Sequence, residues 1–213
     1  MLSGMTVIAI IAQKGGAGKT TLAVHLAAEA ERNGQVALVV DMDAQASAFQ
    51  WGLWREGAPP DVIDCPPPLL ARKIAQAQEM GAGFIVIDTP PHADSAATSA
   101  AAVADMLLIP CRPRALDLHA IQLTARLVEA TGKRAYVVFM GGPPNARKLY
   151  EEATGIVKGY GLDVAPHIIP ERAAYHHATG QGRAAFEIEP NGKAAEDMSV
   201  LWAWISTLVD KQA

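Results

Sequence analysis

Lys14, Gly15, Gly16, Ala17, Gly18, Lys19 and Thr20 place a lysine and a hydroxyl directly behind a short glycine run. Glycines let a backbone turn tightly enough for successive N–H groups to point inward at anionic oxygens. An apolar stretch, residues 7–12, runs into this loop, and a helical pattern, residues 20–33, leaves it with Leu22, Leu26 and Ala30 on one face. Strand, loop, Gly-Lys-Thr and helix in that order make a phosphate-binding loop, to which the helix adds its N-terminal dipole. The expected nucleotide contacts are Lys14, Gly15, Gly16, Ala17, Gly18, Lys19, Thr20 and Thr21, with Lys19 at the β- and γ-phosphates and the Thr20 hydroxyl on Mg²⁺.

Two further stretches end in carboxylates. Residues 36–40 lead into Asp41-Met42-Asp43, and the apolar run 84–87 ends at Asp88, followed by Thr89-Pro90-Pro91. Ligands of parallel sheets gather at the carboxyl ends of the strands, so these acids suit a metal ion and an attacking water. Asp88 is expected to hold Mg²⁺ through water. His92 and Asp94 follow in the segment expected to act as a second switch, although either could simply cap the next helix.

The elements that must position these groups are legible as short apolar runs at 7–12, 36–40, 84–87, 106–109, 135–140 and 164–169. Helical patterns separate them, at 20–33, 94–104, 116–131, 145–160 and 194–209. Gly34 and Gly132 stand where helices should stop. Strands that are apolar throughout, alternating with helices, predict a doubly wound α/β architecture: a mostly parallel sheet with helices on both faces. Residues 51–69, with five prolines, read as an irregular loop, and 172–190 as only partly helical.

The 213 residues, 50% hydrophobic and 19% charged, suit one globular domain spanning 1–213. The net charge of −4 confines any nucleic-acid contact to a local patch. Cys65 and Cys111 have no zinc spacing and read as free thiols of a reducing cytoplasm. Neither a signal peptide nor a membrane-spanning run is expected.

The loop departs from the usual pattern. Gln13 stands where the first glycine belongs, and Lys14 precedes the paired glycines. The form K-G-G-x-G-K-T-T resembles the deviant Walker A loop of the ParA/MinD superfamily of P-loop NTPases. Asp41-Met42-Asp43-Ala44-Gln45 resembles that family's D-x-D-P-Q, with Ala44 in place of proline, and Asp88-Thr89-Pro90-Pro91 continues the likeness. So do Pro113 to Leu118, Ile169-Pro170-Glu171-Arg172, and Phe186-Glu187 through Pro190 with the closing helix.

The resemblance implies roles. Lys14 would cross a dimer interface to the partner's nucleotide and, with Asp43, serve catalysis. Asp43 would position water and join Thr20 and Asp88 at the metal, while Asp41 would support the metal's outer shell; from the residues alone, either acid could instead cap a helix or stand in a loop. Pro170 and Arg172 would border the adenine. With about a dozen residues before the loop there is no room for a helix-turn-helix, so the chain is similar to the small ParA type. The implied activity is weak, partner-stimulated hydrolysis of ATP with Mg²⁺. An ATP-closed homodimer would bind DNA without sequence preference, and a ParB-like or centromere-binding adaptor would release it, segregating a plasmid or other cargo on the nucleoid.

Candidate DNA cations are Arg147, Lys148, Arg183 and Lys193, with Arg172. The alternative is a MinD-like membrane-associated switch, for which Met198, Leu201, Trp202, Ile205, Leu208 and Val209 would be the apolar face and Lys211 the one nearby basic residue. An apolar stripe of that kind more often serves core packing, and Trp204 could be an interfacial or a dimer residue. A redox role like that of the nitrogenase iron protein finds no matching cysteine setting. A module that binds ATP without hydrolysing it would be told apart by Asp43→Ala.

Overall fold

The computed structural model describes residues 4–92 and 94–210. The strands are β1 (Thr6–Ile10), β2 (Ala37–Asp41), β3 (Asp61–Asp64), β4 (Phe84–Asp88), β5 (Met106–Cys111), β6 (Ala135–Phe139) and β7 (Asp163–Val164). They form a seven-stranded sheet in the order β3-β2-β4-β1-β5-β6-β7. Every pairing among them is parallel. The helices are α1 (Lys19–Arg32), α2 (Ser47–Trp54), α3 (Leu70–Glu79), α4 (Asp94–Val103), α5 (Ala115–Thr131), α6 (Arg147–Gly159), α7 (Ala173–Thr179), α8 (Ala185–Ile188) and α9 (Lys193–Asp210).

Successive side chains of a strand point to opposite faces. Val7, Ala9 and Ile11 therefore join one core with Ile74 of α3, Ala100 of α4, Leu118 of α5 and Val157 of α6. Ile8 and Ile10 join the other, with Leu22 and Leu26 of α1, Trp51 of α2, Tyr175 of α7 and Leu201 of α9. Both faces are covered, which is why β1, β2, β4 and β5 are buried along their whole length. Each fully buried aliphatic side chain here contributes roughly 1.5–3 kcal/mol. The chain order reverses at β1, between β4 and β5, so the crevice at the carboxyl end of β1 is where a ligand belongs.

Three expectations need correction. Residues 51–69 are not an irregular loop: they hold the end of α2, the edge strand β3 and a 3₁₀ turn, Pro67–Leu69. The prolines flank β3 instead of interrupting it. A strand paired only to β2 tolerates the polar ends Asp61 and Asp64 that disguise it. The expected strand at 164–169 shrinks to Asp163–Val164 and a single bridge between Met140 and Ile169. Pro166 has no N–H to continue the ladder, although Ala165 and Ile169 donate to Val137 and Phe139 on either side of it. Finally, α3 has no counterpart among the expected helices, yet Leu70, Ile74 and Ala77 bury one face at helical spacing.

The α9 stripe on which a membrane reading depends lies in the core. Met198, Leu201, Trp202 and Ile205 are buried, and Trp202 meets Phe84 edge-on at 4.9 Å. Trp204 packs edge-on against Tyr136 at 5.0 Å. Lys211 lies outside the described residues. Among those described, no helix is long and apolar enough to cross a membrane.

Candidate functional site

β1 delivers the chain to the phosphate loop, and Gly18 turns it into α1. Gly18 has φ +99°, and an added Cβ would come within 3.1 Å of the Met140 side chain. Glycine takes that φ without strain, whereas any larger residue would be strained there and would also push the end of the Met140 side chain aside by a few tenths of an ångström. Lys19 opens α1 and is 7% exposed. Burial lowers its pKa, and the charges of Asp88 and Asp43 partly offset that. Its ammonium makes one long contact, 3.5 Å to the Lys14 carbonyl. A buried cation so weakly bonded is suited to phosphate oxygens.

The Thr20 hydroxyl donates to Asp88 Oδ2 at 2.6 Å. Asp88 Oδ1 is buried and has no partner among the described residues. Burial pushes this carboxyl up to about 7, and Asp41 adds to the rise; the Thr20 bond and Lys19 act against it. An orphaned acidic oxygen beside a threonine hydroxyl is the donor chemistry a hard divalent cation takes, so these residues fit Mg²⁺ bound together with a nucleotide.

Asp41 and Asp43 do different work, and Asp41 makes the bonds of the helix-cap alternative. Asp41 is fully buried, and both its oxygens serve the backbone: Oδ1 accepts Asp43 N–H and Oδ2 accepts Phe49 N–H, each at 2.9 Å. Its carboxylate therefore caps α2. Ala46, the residue before that helix, has no side-chain acceptor and sits at φ 51°. Asp43 is half-buried, and one of its oxygens accepts Gln45 N–H at 2.9 Å. Asp41 thus holds the turn that presents Asp43.

Gln13, which stands where the usual loop has glycine, has partners of its own. Its side-chain amide donates to Asp94 Oδ1 at the start of α4, and its carbonyl accepts His92 N–H at 3.2 Å. The segment after Asp88 is tied to the loop by that one residue.

Lys14 forms an ion pair with Asp117 at 2.8 Å; its side chain is 39% exposed and that of Asp117 8%. The segment containing Asp117 stands out in the sequence, but no task for that residue does. The available signal is an acid at the third position of a helix otherwise opening on apolar residues.

Pro170 and Arg172 do meet the loop. They line one pocket with Gly16, Gly18, Thr21 and Tyr175. The Arg172 guanidinium is paired with Asp197, with an Nη2 to Oδ1 distance of 3.1 Å. The four remaining cations do not converge. Arg147 and Lys148 each pair one turn along α6, with Glu151 at 2.7 Å and Glu152 at 3.9 Å. Arg147 and Lys193 share a groove of about 990 Å³ with Lys158 and Arg172, but also with Glu151, Glu196 and Asp197. Arg183 stands apart, where its carbonyl accepts the Trp51 indole N–H at 3.3 Å. Cys65 and Cys111 are both buried free thiols.

Known proteins resemble this chain in sequence and in fold. Residues 8–185 match the CobQ/CobB/MinD/ParA nucleotide binding domain. The chain is 30% identical over 202 residues to the "Maintenance of carboxysome distribution protein A" of Halothiobacillus neapolitanus, covering 89% of this chain and 91% of that one. It is 32% identical over 184 residues to "Protein ParA" of Rhizobium radiobacter, covering 80% of this chain and 81% of that one. Among solved structures, the septum site-determining protein MinD of Pyrococcus horikoshii, complexed with Mg-ADP, superposes with a TM-score of 0.74 at 19% identity, covering 98% of this chain and 99% of that one. The chain belongs to the ParA/MinD family of P-loop ATPases.

Proposed function

We propose that this chain is an ATP-controlled partition switch. The observation that carries the reading is the division of labour between two lysines of one loop. Lys19 is buried and faces inward, whereas Lys14 is partly exposed and held at the loop's edge by Asp117. One lysine serves the chain's own nucleotide; the other is free to serve a second copy once Asp117 lets go.

In this reading the backbone N–H groups of Gly15 through Thr21, with Lys19, hold the phosphates of ATP. Thr20 and Asp88 hold Mg²⁺, which when bound offsets the anionic charge on the phosphate oxygens. Asp43 positions the attacking water, and Lys14 reaches across a homodimer to the partner's nucleotide. The closed dimer binds DNA without sequence preference, through cations that include Arg147, Lys148, Arg183 and Lys193. A ParB-like or centromere-binding adaptor stimulates an otherwise slow hydrolysis, and the dimer opens and leaves the nucleoid DNA. The cargo is a plasmid or another intracellular body; the names of the two relatives fit either.

The test is the oligomeric state by light scattering with ATP, ADP or no nucleotide, in the wild type, Asp43→Ala and Lys14→Ala. The expected result is a dimer with ATP alone, a longer-lived dimer in Asp43→Ala, and none in Lys14→Ala. A monomer under every condition overturns the reading.

A further inference from the structure

The nucleotide pocket contains one more cation, Arg112. It follows β5 directly and lines the pocket with Gly16, Gly18, Thr21 and Pro170. Its guanidinium reaches the glycine loop: a Cβ built on Gly16 would lie 3.9 Å from Arg112 Nη2. On the opposite wall, a Cβ on Gly141 would lie 3.6 Å from Arg112 Nε. Gly141 also has φ +64°, so a bare backbone on each side makes room for this one side chain. Pro113 packs over Gly142, where an added Cβ would come within 2.6 Å of it, and this fixes the segment carrying Arg112.

Two other arginines withdrawn from water are compensated: Arg55 is paired with Glu187 and Arg172 with Asp197. Glu171, on the same pocket wall as Arg112, meets His176 Nε2 through Oε1 at 3.1 Å, and its Oε2 lies 3.2 Å from where a Cβ on Gly141 would stand, yet it makes no ion pair with Arg112 among the described residues. Arg112 is half-buried, and among the described residues its guanidinium makes neither an ion pair nor a hydrogen bond. A guanidinium stays charged at any physiological pH, and withdrawing it from water without an anion is unfavourable. Its planar fork is matched to phosphate oxygens.

We propose that Arg112 is a nucleotide-binding residue that contacts a phosphate of the nucleotide held by its own chain. The inference rests on the reading of this pocket as the nucleotide site. Arg112 then complements Lys19 from the other side of the loop: Lys19 reaches the phosphates from within, and Arg112 closes over them from the β5 edge. The contact is made in ADP as well as in ATP, since it serves binding and not the change between states.

The experiment measures dissociation constants of ATP and ADP by calorimetry for the wild type, Arg112→Gln, Arg112→Lys and Lys19→Ala, with nucleotide-free melting temperatures alongside. Losing one charge-assisted contact is expected to weaken both nucleotides roughly tenfold in Arg112→Gln. Arg112→Lys keeps the charge without the fork and should recover part of that loss. Unchanged affinity for both nucleotides in the two Arg112 variants overturns the proposal. So does unchanged ADP and ATP affinity together with a lost ATP-dependent dimer, because Arg112 would then face a second copy. If the wild type itself binds neither nucleotide, the failure lies with the reading of the pocket, and Lys19→Ala will not differ from it.

Discussion

Replacing Glu187 by alanine strands a buried charge. Arg55, one residue beyond α2, is 2% exposed in its side chain and Glu187 is 18% exposed. Nη1 and Nη2 each meet a carboxylate oxygen at 2.9 Å. The same guanidinium stacks 4.5 Å over Trp51 and donates to the carbonyls of Ala58, Pro59 and Gly182. Breaking a buried pair by removing one partner costs about 3–5 kcal/mol. Here the three carbonyls keep several donors bonded, so the lower end applies, about 3 kcal/mol. For a chain of this size that lowers Tm by about 6–12 °C. Calorimetry with urea unfolding at pH 7 measures it, with Glu152→Ala on the exposed face of α6 as a control that should stay within about 0.5 kcal/mol. A comparably small loss in Glu187→Ala would refute the reasoning. The pH dependence is a second check. Burial alone would raise the Glu187 carboxyl, but the Arg55 bonds and the Ala184 N–H outweigh it and hold it below the usual range. Its contribution is therefore complete above the ordinary glutamate value and is lost as pH falls through the lowered one.

Other outcomes follow from single residues. His25 on α1 is fully buried and its pKa is lowered from 6.5 to about 4, chiefly by burial; Arg55 adds to the lowering, and the Thr21 carbonyl and Glu187 oppose it. The neutral ring is favoured in the fold, so this contribution is whole above the ordinary histidine value and falls by about 3 kcal/mol as pH drops through the lowered one; urea titrations should lose that component in His25→Leu. Gly18→Ala must hold a side chain at φ +99° and 3.1 Å from Met140, which should cost about 1–2 kcal/mol in melting experiments and abolish ATP binding. Asp117→Asn removes the carboxylate holding Lys14 at 2.8 Å, so sedimentation should find the ATP-dependent dimer at several-fold lower protein concentration.

What can be read in advance divides along physical lines. The buried strands β1, β2, β4, β5 and β6 announce themselves because both faces must be apolar, and Gly-Lys-Thr between strand and helix is a pattern that phosphate binding demands and little else does. The edge does not announce itself. β3 has one hydrogen-bonded neighbour and carries aspartates at its ends without penalty, so its composition resembles a loop's. Asp41 illustrates a different limit. Two acids at one strand end are visible in the sequence, but only the folded chain reveals that one of them spends both oxygens on backbone N–H groups. Partners distant in the chain are equally hidden: Lys14 with Asp117, Gln13 with Asp94 and Arg55 with Glu187 are each brought together by the sheet order, which no local pattern encodes.

Control of DNA attachment by nucleotide state is tested most directly by titrating the purified chain onto random duplex and plasmid DNA with ATP, with ADP and without nucleotide, at several salt concentrations. A partition switch binds with ATP alone, equally on both DNAs, weakens steadily as salt rises, and loses its binding in Lys14→Ala. Binding that is the same in all three nucleotide states, or absent in all of them, would contradict that behaviour.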